Sequence, residues 1–276
     1  MDRTKIGSMT AKFGFINEQN ICDKFNSWQK DHQAKEWLSI MGYNSNKIKI
    51  LKATRIPVKI SQHKALDLGI SPHKYEETIK HKKADIQIKL EIVIDSILYT
   101  ENISLKKANS SANFNQVDKR SVTTYKAMWN FDDEIEKWLK LFTGNIPPTD
   151  ILSPQEILHL KDSRRLFMTE MPDFIVNKII NFFTDNKILI VNDVLKGRGG
   201  LSAEWLLVTK KDTKTNNQLD WILKDINTAC NFFAQGDVKI SPKGSLYIGK
   251  ITMQRKGGTP DPTSLQFKIN PLSLFE

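Results

Sequence analysis

The clearest pattern in the chain is a strict alternation over Ala84–Ile94. Ile86, Ile88, Leu90, Ile92 and Ile94 fall on one face, and Asp85, Gln87, Lys89 and Glu91 on the other. A period of two marks a β-strand with one face buried. Ile97–Leu98 and Asn102–Lys106 continue as a second strand, with Ile103 and Leu105 on its apolar side. A two-residue turn at Asp95-Ser96 would close the pair into a hairpin, setting Asp85 opposite Lys106 and Gln87 opposite Ser104.

Elsewhere the period changes. Between Asn17 and Gly42, Ile21, Phe25, Trp28, Trp37, Leu38 and Met41 recur at helical spacing, predicting two helices broken near Asp31. Residues 45–83 are rich in lysine and punctuated by Pro57, Gly69 and Pro72, which predicts short elements and loops. A helix is expected over Gln116–Phe142, closed by Gly144, followed by a loop over Pro147–Pro154 and a helix over Asp173–Asp185. Lys187–Val191 reads as a buried strand, Gly197–Gly200 as a turn and Ala203–Val208 as another strand. A helix over Asn227–Ala234 precedes three β segments at Val238–Ile240, Ser245–Gln254 and Leu265–Ile269. Interleaved strands and helices without a low-complexity linker point to one α/β domain over residues 1–276.

Charge narrows the classes of partner. Lys and Arg number 41 against 31 Asp and Glu, a net charge of +10, which favours a polyanion. Only seven of the cations are arginines: Arg3, Arg55, Arg120, Arg164, Arg165, Arg198 and Arg255. Lysine neutralises phosphates as a point charge, whereas the arginine fork can read guanine edges, so the few arginines carry more information. No run approaches the roughly 18 apolar residues of a membrane span, and no basic amphipathic helix with an apolar anchor supports a lipid partner. The opening residues lack the apolar stretch of an export signal, and two cysteines, Cys22 and Cys230, supply no disulfide framework. A reducing, cytoplasmic setting is expected. The five histidines show no metal-ligand spacing, and Gly197–Gly200 is not followed by the Lys-Ser/Thr of a nucleotide loop.

The sharpest candidate chemistry is an aspartate, Asp85, followed about twenty residues later by Ser104-Leu105-Lys106. Metal-dependent phosphodiester hydrolysis needs a carboxylate to hold the cation and a positive group near the attacking water. The pattern by itself is weak. On the pattern alone, an exposed Asp–Lys cross-strand pair is the favoured account.

Blocks around it sharpen the reading. Gly7-Ser8, Thr10-Ala11-Lys12, Gly14-Phe15 and Asn17-Glu18 come first, then Met41-Gly42, Asp85-Ile86 and Lys106. Phe114-Asn115-Gln116-x-Asp118-Lys119, Met128-Trp129-x-Phe131-Asp132-Asp133 and Arg165-x-Phe167-Met168-Thr169-Glu170 follow. Gly197-Arg198-Gly199, Ala203-Glu204-Trp205, Gln254-Arg255-Lys256-Gly257-Gly258 and Leu265–Ile269 complete the set. In this collinear order the chain resembles the HinP-type, GCGC-cutting type II restriction endonucleases of the PD-(D/E)xK nuclease superfamily.

The resemblance implies a central mixed β-sheet carrying a catalytic hairpin, flanked by helices. It implies an enzyme that uses Mg²⁺ to cut both strands of double-stranded DNA at a short GC-rich site, GCGC or a variant, leaving 5′-phosphate ends. The setting would be prokaryotic, with a cognate methyltransferase as functional partner and the enzyme a monomer or homodimer. Asp85 would ligate the metal and Lys106 would be the catalytic lysine. Ser104 stands where the superfamily has Glu or Asp and the HinP enzyme Gln, a departure that leaves room for a binding protein without catalysis. Glu18 matches an acid on the relative's first helix and is the candidate second metal ligand.

Phe114 matches an aromatic that wedges into a base step, although a Phe at a helix mouth also serves as a hydrophobic staple. Asn115, Gln116 and Lys119 suit base edges or phosphates. Arg198, between glycines, and Gln254, Arg255 and Lys256 complete the duplex-facing candidates. Segments near 45–83 and 147–163 exceed what the relative needs and read as insertions.

Overall fold

The computed structural model describes residues 3–92, 98–108, 114–211, 219–256 and 263–276. The chain opens with helices α1 (Arg3–Asn26) and α2 (His32–Ile40), then strand β1 (Ile48–Arg55), helices α3 (Gln62–Asp67) and α4 (Tyr75–His81), and strands β2 (Ile86–Ile92) and β3 (Leu98–Ala108). Next come β4 (Asn115–Ser121), α5 (Val122–Trp129), α6 (Asp133–Thr143), α7 (Pro154–Ile157), α8 (Asp173–Asp185) and α9 (Lys187–Leu195). After these come β5 (Trp205–Lys211), β6 (Leu219–Asp225), α10 (Ile226–Ala234), β7 (Val238–Ile240), β8 (Leu246–Ile248), β9 (Ile251–Arg255) and β10 (Ser264–Ile269). Two compact units share them: Met1–Asn113, Leu195–Ala229 and Pro271–Glu276 form one, Phe114–Val194 and Cys230–Asn270 the other.

The first unit is built on a mixed sheet in the order β1-β2-β3-β5-β6, with β3 and β5 parallel and the other pairs antiparallel. The expected break near Asp31 is real: its carboxylate caps α2 by accepting from the Ala34 amide. Helices α1 and α2 bury Ile21, Phe25, Trp37 and Leu38 against Ile86, Ile88, Ile103 and Leu207 of the sheet. Asn26 fastens α1 to β1 through both the N–H and the carbonyl of Ala53.

Strand β1 lies in the lysine-rich stretch read as short elements and loops. It is an edge strand, and lysines on such an edge oppose pairing with other chains.

The β2–β3 pairing differs from expectation by two residues. Gln87 faces Asn102 and Ile86 faces Ile103, while the Asp85 amide donates to the Ile103 carbonyl. A shift of two keeps every side chain on its face. The turn at Asp95-Ser96 lies outside the described residues. The polar face is also less open than alternation implies: Gln87, Asn102 and Ser104 are all buried. Gln87 donates to the Leu68 carbonyl and Asn102 to the Gly200 carbonyl, so the 62–70 segment and the glycine turn cover this face.

The second unit holds an antiparallel sheet ordered β4-β10-β9-β8-β7. Two expectations fail here. Asn115–Ser121 is a strand and not the start of a helix, because pairing with β10 satisfies its backbone and overrides a polar, strand-poor composition. The helical stretch then divides, since Asn130 takes a left-handed conformation at the end of α5 and Asp132 caps α6. Gly144 ends α6 as expected, with φ +75°. Lys187–Val191 is the first part of helix α9 rather than a strand, the ambiguity inherent in a short apolar run.

Candidate active site and nucleic-acid interface

The corrected register brings the acid and the lysine together at the mouth of the β2–β3 pair. Asp85 Oδ2 accepts from the Leu105 amide at 2.7 Å and from Ser104 Oγ at 3.4 Å. Lys106 Nζ lies 3.6 Å from the same oxygen and donates to the Leu105 carbonyl at 3.1 Å. Both side chains keep access to solvent, Asp85 at 30% exposure and Lys106 at 18%. An Asp–Lys pair on an open ladder would have neither the backbone donor on its carboxylate nor buried Ser104 beside it. Ser104 therefore serves Asp85 as a hydrogen-bond donor, a use that fits a short neutral side chain where a third acid is expected.

Glu18, on α1, joins this cluster electrostatically. Its pKa is pushed up to about 7, first by burial and then by the Asp85 carboxylate, against the pull of Arg55, Lys106 and Lys82. Next to it, Asn17 Nδ2 donates to Thr209 Oγ1 at 3.1 Å, a buried bond that pins α1 to β5. Arg55 and Lys82 were not singled out from sequence. Arg55 ends β1 and lies over the Phe15 ring, 5.3 Å from its centroid. Lys82 Nζ donates to the Pro57 carbonyl at 2.6 Å, with a pKa lowered by burial and raised in part by Asp85 and Glu18. Both come from the 45–83 segment, whose lysine-rich composition hid them among solvated charges.

Two carboxylates, one of them held partly protonated near neutral pH first by burial and then by its neighbour's charge, form a donor set that suits a hard divalent cation. The Leu105 carbonyl adds a third oxygen. Among the described residues, no group of three His, Cys, Asp or Glu side chains forms a ready-made metal cage.

In the second unit, alternation gives the sheet two unlike faces. Leu265, Phe267 and Ile269 of β10, with Ile251 and Met253 of β9, are fully buried. On the other face, Lys268 pairs in register with both Gln116 and Thr252, and Gln266 with both Lys119 and Gln254. Three sequence candidates, Gln116, Lys119 and Gln254, therefore share a surface. Phe114 is half exposed and lines a cavity of about 330 Å³ with Gln254, Thr252, Tyr247 and Lys268. No helix begins at Phe114, so the staple reading falls. Lys256 lies near enough to Lys268 to lower the latter's pKa, after burial. Asn115 is partly exposed at the start of β4.

Two arginines differ from expectation. Arg255 points to the opposite face from Gln254: its side chain is only 9% exposed and pairs with Asp162 at 3.4 Å. Its charge is engaged by Asp162 on the inner side of the sheet. Around Arg198 the glycines have a packing reason. A Cβ at Gly197 would sit 2.2 Å from the His81 carbonyl oxygen, and one at Gly199 2.7 Å from Thr78 Oγ1. These glycines serve close approach to α4, so they give no argument for phosphate contact by Arg198. Gly257 and Gly258 lie outside the described residues.

Comparison with known proteins bears on the family and the fold. No curated protein sequence gives a significant match. In fold, the chain is similar to a crystal structure of the restriction endonuclease MspI in complex with its cognate DNA. The TM-score is 0.57 at 12% identity, covering 97% of this chain and 93% of that one. Among the described residues no helix is long and apolar enough to cross a membrane. The family model for the R.HinP1I restriction endonuclease matches residues 74–275, which include Asp85, Ser104, Lys106 and the second sheet but not Glu18 or Arg55. The chain belongs to the R.HinP1I restriction endonuclease family and is a site-specific deoxyribonuclease.

Proposed function

We propose that this restriction endonuclease cleaves both strands of duplex DNA at a short GC-rich site, GCGC or a variant, in a Mg²⁺-dependent reaction leaving 5′-phosphate and 3′-hydroxyl ends. The observation that carries the catalytic assignment is the meeting of Ser104 Oγ, Leu105 N–H and Lys106 Nζ at one oxygen of Asp85, with Glu18 in the same field. Asp85, Glu18 and the Leu105 carbonyl are the groups that would hold the cation. When bound, Mg²⁺ supplies Lewis acidity toward the scissile phosphate and lowers the pKa of nearby water.

The protein's own groups do the rest. Lys106, tethered by the Leu105 carbonyl, orients the attacking water and offsets the negative charge that grows on the phosphoryl oxygens. Ser104 and the Leu105 amide fix the Asp85 carboxylate, so that it need not reorganise during the reaction. Arg55 and Lys82 offset the negative charge of the two acids and add attraction for the phosphate backbone. Gln116 and Gln254 face base edges, Asn115, Lys119 and Lys256 face the backbone, and Phe114 inserts at a base step. The fold likeness to an endonuclease crystallised with DNA supports duplex binding. Both units act as one endonuclease, in a prokaryotic cytoplasm where a cognate methyltransferase protects the host DNA.

Incubating unmethylated plasmid with the protein in Mg²⁺ and in EDTA tests this reading. Discrete fragments only with metal, with ends that accept ligation without phosphorylation, support it. An intact plasmid across substrates rich in GC sites would sink it.

A further inference from the structure

Arg55 is exposed at the end of β1, and the pairing of β1 with β2 puts it beside Asp85 and Glu18. It stands opposite Ile86, and the next residue, Ile56, donates its amide to the Asp85 carbonyl at 2.9 Å. The Arg55 Cζ lies 5.3 Å from the centroid of the Phe15 ring on α1. Phe15 and Glu18 are three residues apart on that helix and share a face, so the stacking brings the guanidinium alongside Glu18. Burial and then Asp85 raise the Glu18 pKa; among the cations that lower it, Arg55 acts most strongly, ahead of Lys106 and Lys82.

Neutralising an acid does not account for this placement. Arg120 pairs with Asp118, and Arg164, Arg165 and Arg255 with Asp162. Among the described residues, no carboxylate lies within ion-pair distance of Arg55, and an aromatic face holds it instead. A guanidinium stacked in this way keeps its planar fork of donors for an outside anion, and that fork matches phosphate geometry. Beside Asp85 and Glu18, the anion it meets is the phosphate to which those acids bring the cation.

We propose that Arg55 is a further catalytic residue of this nuclease, holding a non-bridging oxygen of the phosphate that is cut. In the hydrolysis the water oxygen bonds to phosphorus as the P–O3′ bond breaks, and the 3′ oxygen leaves with a proton that comes from the water. Arg55 exchanges no proton; it offsets the charge that builds on the non-bridging oxygens. The inference rests on the proposed duplex cleavage. It adds a working group from the part of the chain before residue 74, where the family match begins.

The test compares the full-length wild type with Arg55→Met, which keeps an apolar stem for the Phe15 ring and loses the charge. Binding is measured without metal to two duplexes containing the mapped cleavage site. One is natural, and the other carries a neutral methylphosphonate in place of the phosphate that is cut. Thermal melting runs alongside, and Arg55→Gln replaces Arg55→Met if the latter melts early. The charge-free variant should move the ratio of the two affinities about 10-fold toward the neutral duplex. In Mg²⁺ its single-turnover cleavage should fall about 100-fold. That loss should persist well above the Glu18 pKa of about 7. A wild type that cuts, with an affinity ratio unchanged in the folded variant, overturns the inference and spares the proposed function. A cleavage loss that vanishes once Glu18 is ionised means that Arg55 acts only on that acid, and also overturns it. A wild type that leaves every duplex intact overturns both.

Discussion

The two sheets begin from the same kind of sequence and put it to opposite uses. In β2 and β10, isoleucine, leucine or phenylalanine alternates with glutamine and lysine, and each strand buries its apolar face. On the first sheet the polar face is closed as well. Gln87 is shared between the Leu68 carbonyl and Asn102 Oδ1, and Asn102 in turn donates to the Gly200 carbonyl. On the second sheet the amides of Gln116, Gln266 and Gln254 bond to one another, and the face opens at the cavity lined by Phe114 and Gln254. Satisfied polar groups specify a structure, whereas those open at a cavity are placed for a ligand. At the mouth of the first sheet, Asp85 and Lys106 meet with Glu18 in the same field and keep access to solvent.

The contrast can be broken in four ways. The largest effect belongs to the mouth of the first sheet. Lys106→Ala or Asp85→Asn should lower plasmid cleavage by about 1,000-fold or more, with gel-shift affinity for duplex within a few-fold of wild type. Next are the closed amides. Gln87→Leu leaves the Leu68 carbonyl without its donor and should cost about 1–3 kcal/mol in denaturant unfolding without altering site choice. Gln254→Leu should do the reverse, relaxing site choice while unfolding stays the same. A variant pair showing the same phenotype would erase the distinction between the faces.

A smaller effect concerns pH. The folded pKa of Glu18, about 7, lies above its ordinary 4.5, so between these values the folded metal-free protein holds the extra proton. Stability from this group is complete below about pH 4.5 and declines as pH rises to about 7. Glu18→Gln should remove that decline, seen as a flatter plot of melting temperature against pH in EDTA. With Glu18 in its proposed role as a metal ligand, cation binding would compete with the same proton, and wild-type cleavage should climb as pH rises through about 7. Smallest is Lys119→Ala. As an exposed cation on the open face it should weaken all duplexes alike and reduce the salt slope of binding by about one.

Much of the site was legible because strand alternation survives a register shift of two. Asp85, Ser104 and Lys106 could be placed together from period and spacing, even with the pairing offset by two residues. The polar face of β10 was equally visible in Leu265–Ile269. Other parts were hidden for physical reasons. Arg55 and Lys82 sit in a lysine-rich stretch, where composition cannot separate a solvated charge from one beside an acid. Strand β4 is polar along its length, and only pairing with β10 explains its conformation. Arg255, one residue from Gln254, turns inward because adjacent strand residues face opposite ways, and Asp162 from a distant loop receives it.

By itself the sequence determined many of the elements with strong periodicity, the helix break near Asp31 and the helix end at Gly144, the basic charge that suits DNA, and the placing of Asp85 and Lys106 on one strand face. These depend on local spacing or on residue chemistry, which neighbours in the chain carry. The tertiary structure decided the pairing register, the approach of Glu18, the burial of Arg255, and which polar faces close and which stay open. Those depend on groups far apart in the chain meeting at hydrogen-bond distance, and only the folded backbone fixes where they meet.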